Sequence, residues 1–263
     1  MAEDFTTYTE TDAGGLLTVA ETSVTWDDVT RASAAIVWKD FGADYFGSDL
    51  HHRIEFTVPA NGDMDDSAWV YFWAITNVGG TSYPGYFPGY IETANGDYQS
   101  VCFVNGAGDM PFFQLRLSEA GNVVLDTSTT LTASTKYYLD IVRDDDGGAN
   151  GTGQYTVYVC TGNYYTESGY SLIDTLTVDC SAGEQNDFRY MYVTLPRGSG
   201  AQATDGVVES LDMESVTYYD VSGTITATWT VAGTINCTVN SYKPILKKRV
   251  VAIGNDCVYY EDV

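Results

Sequence analysis

The chain has 263 residues, 12 of them basic and 36 acidic, with a formal charge of −24. Phosphate would be repelled by such a surface, so nucleic acid is excluded as a direct partner. At 44% hydrophobic and only 18% charged, with 26 Gly and 21 Tyr, the composition is that of a folded chain of strands and tight turns, not of helices or disorder.

The opening MAEDFTTYTE has no basic segment followed by an apolar one, so no secretory signal is expected and synthesis in a cytoplasm is. No window reaches the roughly 18 apolar residues of a membrane span. From there, short apolar or alternating runs recur between Gly/Asp/Asn clusters. LLTVAETSVTW (16–26) predicts a hairpin, and SAAIVWKD (33–40) and HHRIEFTV (51–58) predict strands. His51 and His52 are neighbours and so face opposite sides of their strand, which rules out joint ligation of one metal. In SAWVYFWAITN (67–77), strict alternation puts Trp69, Tyr71 and Trp73 on one face and Val70, Phe72 and Ala74 on the other. Both faces are apolar, so this strand belongs in the middle of a sheet covered on both sides.

The loop TSYPGYFPGY (81–90) follows, carrying Tyr83, Tyr86, Phe87 and Tyr90. Its rings suit a sugar, a neighbouring protein, or the edge of its own sandwich. GYIETA (89–94), YQSVCFV (98–104), PFFQLRLS (111–118), GNVVLDT (121–127), KYYLDIVR (136–143) and QYTVYVC (154–160) read as further strands. The connection GNYYTESGY repeats the tyrosine theme with Tyr164, Tyr165 and Tyr170. YSLIDTLTV (170–178), FRYMYVTL (188–195) and VVESLDMESVTYYD (207–220) complete the large region. Many short strands without intervening helices predict an all-β, two-sheet antiparallel sandwich over residues 1–219.

Beyond 220 the pattern changes. VSGTITATWT and VAGTINCTVN share V-x-G-T-I-x-x-T at a spacing of ten, which predicts two strands. With VVAIG and CVYYEDV they make a small β module, 220–263. The charge is divided with the chain: residues 1–215 hold eight basic and 32 acidic residues, whereas the remainder is neutral. Four of the 12 basic residues, Lys243, Lys247, Lys248 and Arg249, fall in SYKPILKKRV. That stretch is either a solvated loop or a cationic docking segment for an acidic neighbour, such as a shell subunit or a second copy.

Catalytic chemistry is not indicated. Five widely spaced cysteines form no CxxC pair and read as small buried hydrophobes. Glu209, Asp212 and Glu214 are the nearest approach to paired carboxylates; regular alternation sends Glu209 and Asp212 to opposite faces and leaves Asp212 with Glu214. The acidic runs NGDMDDS (Asp63, Asp65, Asp66) and DDDGGANG (Asp144, Asp145, Asp146) read as solvated turns or as oxygen ligands for calcium, without EF-hand spacing.

Residues 3–58, EDFTTYTETDAGG through HHRIEFTV, together with KYYLDIVRDDDG, QYTVYVC, YSLIDTLTVDC and FRYMYVTL, resemble phage and metagenomic proteins of the concanavalin A-like lectin/glucanase superfamily, close to laminin-G-like jelly rolls. The resemblance spans about 3–219. It implies a jelly roll whose sheet binds glycan, carries catalytic acids, or does neither, and a calcium at the sandwich rim as laminin-G-like domains hold. The tail resembles small β modules of phage structural proteins. The expectation is a non-enzymatic virion protein, a capsid decoration or a head or tail fibre. Its partners would be other capsid proteins, a host-surface or environmental glycan, and copies of itself. A carbohydrate-binding module of a secreted protein is the alternative, and a glycoside hydrolase the third reading.

Overall fold

The structure, a computed structural model, describes residues 2–47, 49–79, 96–149, 151–181, 188–197 and 200–213, and four strands at 226–229, 235–238, 248–253 and 258–262. The chain divides into two compact units, Met1–Thr217 and Tyr218–Val263. Among the described residues the helical content is one 3-10 turn, Phe5–Thr7, and no helix is long and apolar enough to cross a membrane.

The first unit is a sandwich of two seven-stranded antiparallel sheets. In one, β1 (Thr9–Asp12), β4 (Ala35–Asp40), β13 (Tyr190–Pro196), β6 (Trp69–Thr76), β7 (Tyr98–Gly106), β8 (Met110–Glu119) and β9 (Asn122–Thr127) lie side by side in that order. In the other the order is β12 (Ser171–Asp179), β11 (Gln154–Thr161), β10 (Lys136–Asp144), β5 (Leu50–Thr57), β14 (Ala203–Asp212), β3 (Ser23–Thr30) and β2 (Leu17–Val19). Every predicted strand that falls on described residues is present. GYIETA lies outside the described residues, and so does the part of VVESLDMESVTYYD beyond residue 213.

Period-two patterning accounts for the closure. In β5, His52, Ile54 and Phe56 are buried while His51, Arg53 and Glu55 alternate outward. Phe56 sits at the centre of the interior. Its ring lies 4.5 Å from that of Phe72, 5.2 Å from Phe103, 5.3 Å from Phe113 and 5.8 Å from Trp26. Trp26 and Phe56 come from one sheet and the other three from its partner, so the rings interlock the layers. Each such side chain contributes about 1.5–3 kcal/mol by burial, and each favourably oriented pair about 0.5–1.5 more. Trp26 packs against Gly206, where a Cβ would come within 2.3 Å of the indole. No larger residue fits there without moving the tryptophan.

β6 is the fourth of seven strands, central as its sequence predicts. Its faces, however, do not alternate throughout. The register against β7 slips between Tyr71 and Trp73, so Phe72 and Trp73 both pack inward with Val70 and Ile75. Trp69, Tyr71 and Ala74 stay on the outer side. The expected grouping of Trp69, Tyr71 and Trp73 is thus broken by a β-bulge, which inserts one residue and reverses every later side chain. The outer face keeps its own aromatic cluster of Tyr71, Tyr98 and Tyr192, with Trp38 and Trp69 partly buried against it. The Arg197 guanidinium lies 3.7 Å above the Trp69 ring.

The second unit contains two hairpins. β15 (Thr226–Trp229) pairs with β16 (Ile235–Thr238), so the ten-residue duplication is a strand and its antiparallel partner. β17 (Lys248–Ile253) pairs with β18 (Val258–Asp262), in a register that sets Lys248 opposite Asp262 and Arg249 opposite Glu261. The basic stretch is therefore not a loop throughout, since its last two cations begin a strand. Lys243 and Lys247 lie outside the described residues.

Candidate functional site

The solvent-facing side of the second sheet carries the polar half of each alternation. On β10, Tyr137, Leu139 and Ile141 are buried in the core, which turns Lys136, Tyr138 and Asp140 outward. Register places Asp140 opposite Arg53, and Tyr138 opposite Glu55. On the other flank of β5, Glu209 of β14 lies opposite Glu55 and Asp212 opposite Arg53.

Here the structure corrects the reading of the carboxylates. Ser210 has φ +54°, and the β14–β5 register shifts between Glu209 and Asp212. The extra residue restores both acids to one face, opposite Glu55 and Arg53, which themselves share a face. Strict alternation failed because a bulge changes parity. Glu214 lies outside the described residues.

The connection from β11 to β12 folds over this face. Gly162 at φ +81° makes the turn possible, because a Cβ there would meet the Gly169 carbonyl oxygen at 2.5 Å. The Glu167 amide donates to the Tyr164 carbonyl at 3.0 Å, and Asn163 Nδ2 donates to the Ser168 carbonyl at 3.2 Å. The loop is held down by Asp140, which is only 2% exposed. One oxygen of Asp140 accepts from Arg53 Nε at 2.8 Å and lies 2.7 Å from His51 Nε2. Its other oxygen accepts the Tyr165 amide at 2.8 Å. Arg53 Nη1 donates onward to Glu167 at 2.6 Å, and its guanidinium lies 4.9 Å from the centre of the Tyr164 ring. Lys136 is shared between Glu55 at 2.9 Å and Glu209 at 2.7 Å. Burial works against the charge on Lys136, but the bonds to Glu209 and Glu55 outweigh it and raise its pKa.

Between loop and sheet lies a cleft of about 270 Å³, lined by Arg53, Glu55, Tyr138, Tyr164, Glu167 and Asp212 among others. Tyr138 and Tyr164 meet edge to face, their centroids 5.3 Å apart at 79°. The phenol of Tyr164 is pushed well above its ordinary pKa, first by burial and then by Glu55 and Asp140. It stays protonated, a hydrogen-bond donor and not a base. Tyr165 points away, stacked on Tyr158 at 4.1 Å and an interplanar angle of 3°. Of the two predicted tyrosines, one lines the cleft and the other anchors the loop. Tyr83, Tyr86, Phe87 and Tyr90 lie outside the described residues.

The predicted calcium ligands divide between two turns. Asp63 and Asp65 neighbour the start of β14: the Asp205 amide donates to the Asp63 carbonyl at 2.9 Å, and the Ala203 amide to the Asp65 carboxylate at 2.8 Å. The Asp66 carboxylate accepts from the Gly108 amide at 2.9 Å. In the other turn, Asp145 pairs with Arg143 at 2.5 Å, and Asp144 accepts the Asp146 amide at 3.0 Å. Among the described residues, three acids whose carboxylate oxygens converge, within 4.8 Å of one another, are Asp27, Asp28 and Asp205.

His51 and His52 face opposite sides as expected. His52 is buried in the core, accepts a hydrogen bond from Trp73 Nε1 at 3.0 Å, and has its pKa lowered to about 3, chiefly by burial and then by His51. Cys102, Cys160 and Cys180 are buried and unpaired, and burial raises their thiols to about 12, 11 and 12 respectively. These thiols are not nucleophiles at neutral pH.

Asp140 and Arg53 as a locked pair were missed by the sequence reading. The available signal was a lone acid at an outward position of KYYLDIVR beside a lone arginine at an outward position of HHRIEF.

No family model matches the chain, and none of the curated proteins compared with it does. Among solved structures, alginate lyase Aly36B is similar over 79% of this chain and 86% of its own, at 15% identity and a TM-score of 0.50. A legume lectin-like domain from Entamoeba histolytica is similar over 80% of this chain and 90% of its own, at 11% identity and a TM-score of 0.49. Tailspike protein 2 of Escherichia coli O157:H7 bacteriophage CAB120 is similar over 81% of this chain but only 26% of the tailspike, at 13% identity and a TM-score of 0.42. At these identities the likeness is one of fold. The fold shared with the lyase is a two-sheet antiparallel jelly-roll sandwich.

Proposed function

We propose that the sandwich is a non-enzymatic glycan-binding module of a phage particle, carried there by the C-terminal unit. The observation that supports it is the cleft on the second sheet, where two tyrosine rings at right angles stand beside hydrogen-bonding side chains held rigidly by ion pairs. Flat apolar faces and fixed polar groups are what a sugar ring requires. Reactivity is muted at Tyr164, His51, Glu55 and Glu209. Tyr164 is held protonated, and His51 is engaged by Asp140. Glu55 and Glu209 share Lys136.

The test is binding of the intact protein to an array of oligosaccharides, followed by product analysis of those retained. Saturable binding with no new reducing or unsaturated ends is the expected outcome. Absence of binding across all glycans would sink the proposal. The bulge at Ser210 favours one second reading, a glycoside hydrolase, because it sets Glu209 and Asp212 on the same face. Cleavage abolished by Glu209→Gln or Asp212→Asn would put that reading in place of the first. Carriage by the tail is tested separately: truncation after Asp220 is expected to leave a folded sandwich that no longer joins the particle, and normal incorporation would refute it.

A further inference from the structure

We infer that Asp126 and Asp174 form a reciprocal clasp that shuts one open edge of the sandwich and keeps a second copy of this chain from pairing onto it. β9 and β12 are outermost strands of the two sheets, so each has one side without a neighbouring strand. Backbone amides point alternately to the two sides of a strand. The Ser128 amide runs inward to the Phe113 carbonyl of β8 at 2.9 Å, which turns the amides of Thr127 and Thr129 toward the edge. Neither is left bare. Thr127 donates to Asp126 Oδ1 at 2.8 Å, and Thr129 to Asp174 Oδ2 at 2.6 Å. On β12 the roles are exchanged: Thr175 donates to Asp174 Oδ1 at 2.8 Å, and Thr177 to Asp126 Oδ2 at 2.9 Å. Each carboxylate thus takes one amide from its own strand and one from the edge of the other sheet.

A regular strand edge is a template for another strand, and an apolar one invites association. Among the described residues, four of the seven exposed large hydrophobic side chains lie on these two strands, Val124 and Leu125 on β9 and Leu172 and Ile173 on β12. The clasp opposes docking in two ways. It occupies amides that an incoming strand's carbonyls would need, and it sets two charges where docking would strip them of water. The partner such an edge takes is a second copy, because an identical edge turned about a two-fold axis offers the same spacing of amides and carbonyls. The opposite edge of the sandwich uses the same chemistry. There Asp12 of β1 accepts the Leu17 amide of β2 at 2.7 Å, and these are the outermost strands on that side. A short turn joins β1 to β2, whereas β9 and β12 are far apart along the chain. Asp126 and Asp174 therefore hold together an edge that no turn closes.

The experiment compares the full chain with D126A/D174A by sedimentation over about a hundredfold range of concentration in about 150 mM salt, together with amide exchange. In the dilute variant the amides of Thr127, Thr129, Thr175 and Thr177 are expected to exchange about fivefold faster than in the parent. As concentration rises, the variant is expected to reach at least about twice the parent's mass, and the four amides to regain protection as strands pair. D27N/D28N/D205N removes three charges from β3 and β14, toward the other side of the second sheet. It is the control for lost charge repulsion and is expected to sediment as the parent does. Should the alanine pair fold poorly, D126E/D174E keeps both charges and displaces both carboxylates by one methylene. It is expected to exchange and associate in the same direction, to a smaller extent.

Faster exchange without a gain in mass overturns the inference, because the clasp would then guard against nothing. Unchanged exchange at the four amides in the variants overturns it as well, since the bonds would not be holding the edge. An equal gain in mass in the control also overturns it, because association would then follow from lost charge alone.

Discussion

Replacing Asp140 with alanine is expected to destabilise the sandwich by about 3–5 kcal/mol, the range for breaking one side of a buried ion pair. Asp140 has three partners converging on two oxygens: Arg53, His51 and the Tyr165 amide. Without it, Arg53, whose side chain is 14% exposed, keeps Glu167 as its one acidic partner among these contacts. For a domain of this size such a loss lowers the melting temperature by about 6–20 °C. The loop from Gly162 to Tyr170 is expected to come away from the sheet, because its tether is removed. Amide exchange at Tyr165 should then rise. Asp140→Asn, which keeps an acceptor but not the charge, should fall between parent and alanine. A change below about 1 kcal/mol in chemical denaturation, with the Tyr165 amide still protected, would show that the loop is held by its tyrosine stacking instead.

Acid sensitivity through His52 is the second large effect. The native pKa is about 3, against an ordinary value near 6.5. Above about pH 6.5 the ring is neutral in both folded and unfolded chains, and no stability is lost. As pH falls below that, the unfolded chain takes up a proton that the native core refuses. Stability then declines by up to about 1.4 kcal/mol per pH unit until the native ring titrates near pH 3. The neutral ring is the form that accepts from Trp73, beside Phe46, so the core is built for it. Comparing urea unfolding of the parent with His52→Gln isolates this term from the many carboxylates, which both proteins share. Between pH 6.5 and pH 4 the parent is expected to lose about 3 kcal/mol more than the variant. Parallel profiles would mean that the ring is protonated in the native state or reached by water.

How much of this was legible beforehand can be argued from particular strands. KYYLDIVR and HHRIEFTV followed regular alternation of core and solvent faces, because an unbroken strand has a side-chain period of two. WVYFWAIT and VVESLD did not, because each contains a bulge. No residue type in Tyr71–Phe72–Trp73 or Glu209–Ser210–Leu211 announces one, since a bulge is settled by pairing with the neighbouring strand. The same limit applies to the site. Tyr164 and Tyr165 stood out as an aromatic pair. Their division of labour, one lining a cleft and one stacked on Tyr158, depends on where the loop lands.

By itself, then, the sequence determined an all-β sandwich with a separate charge-neutral tail, because alternation, turn residues and charge distribution are local properties of the chain. Only the tertiary structure decided that Asp140 fastens Arg53 beneath a tyrosine loop, and that Glu209 and Asp212 look the same way. Residues 53, 140, 167 and 212 are far apart along the chain, and long-range strand register alone brings them to one face.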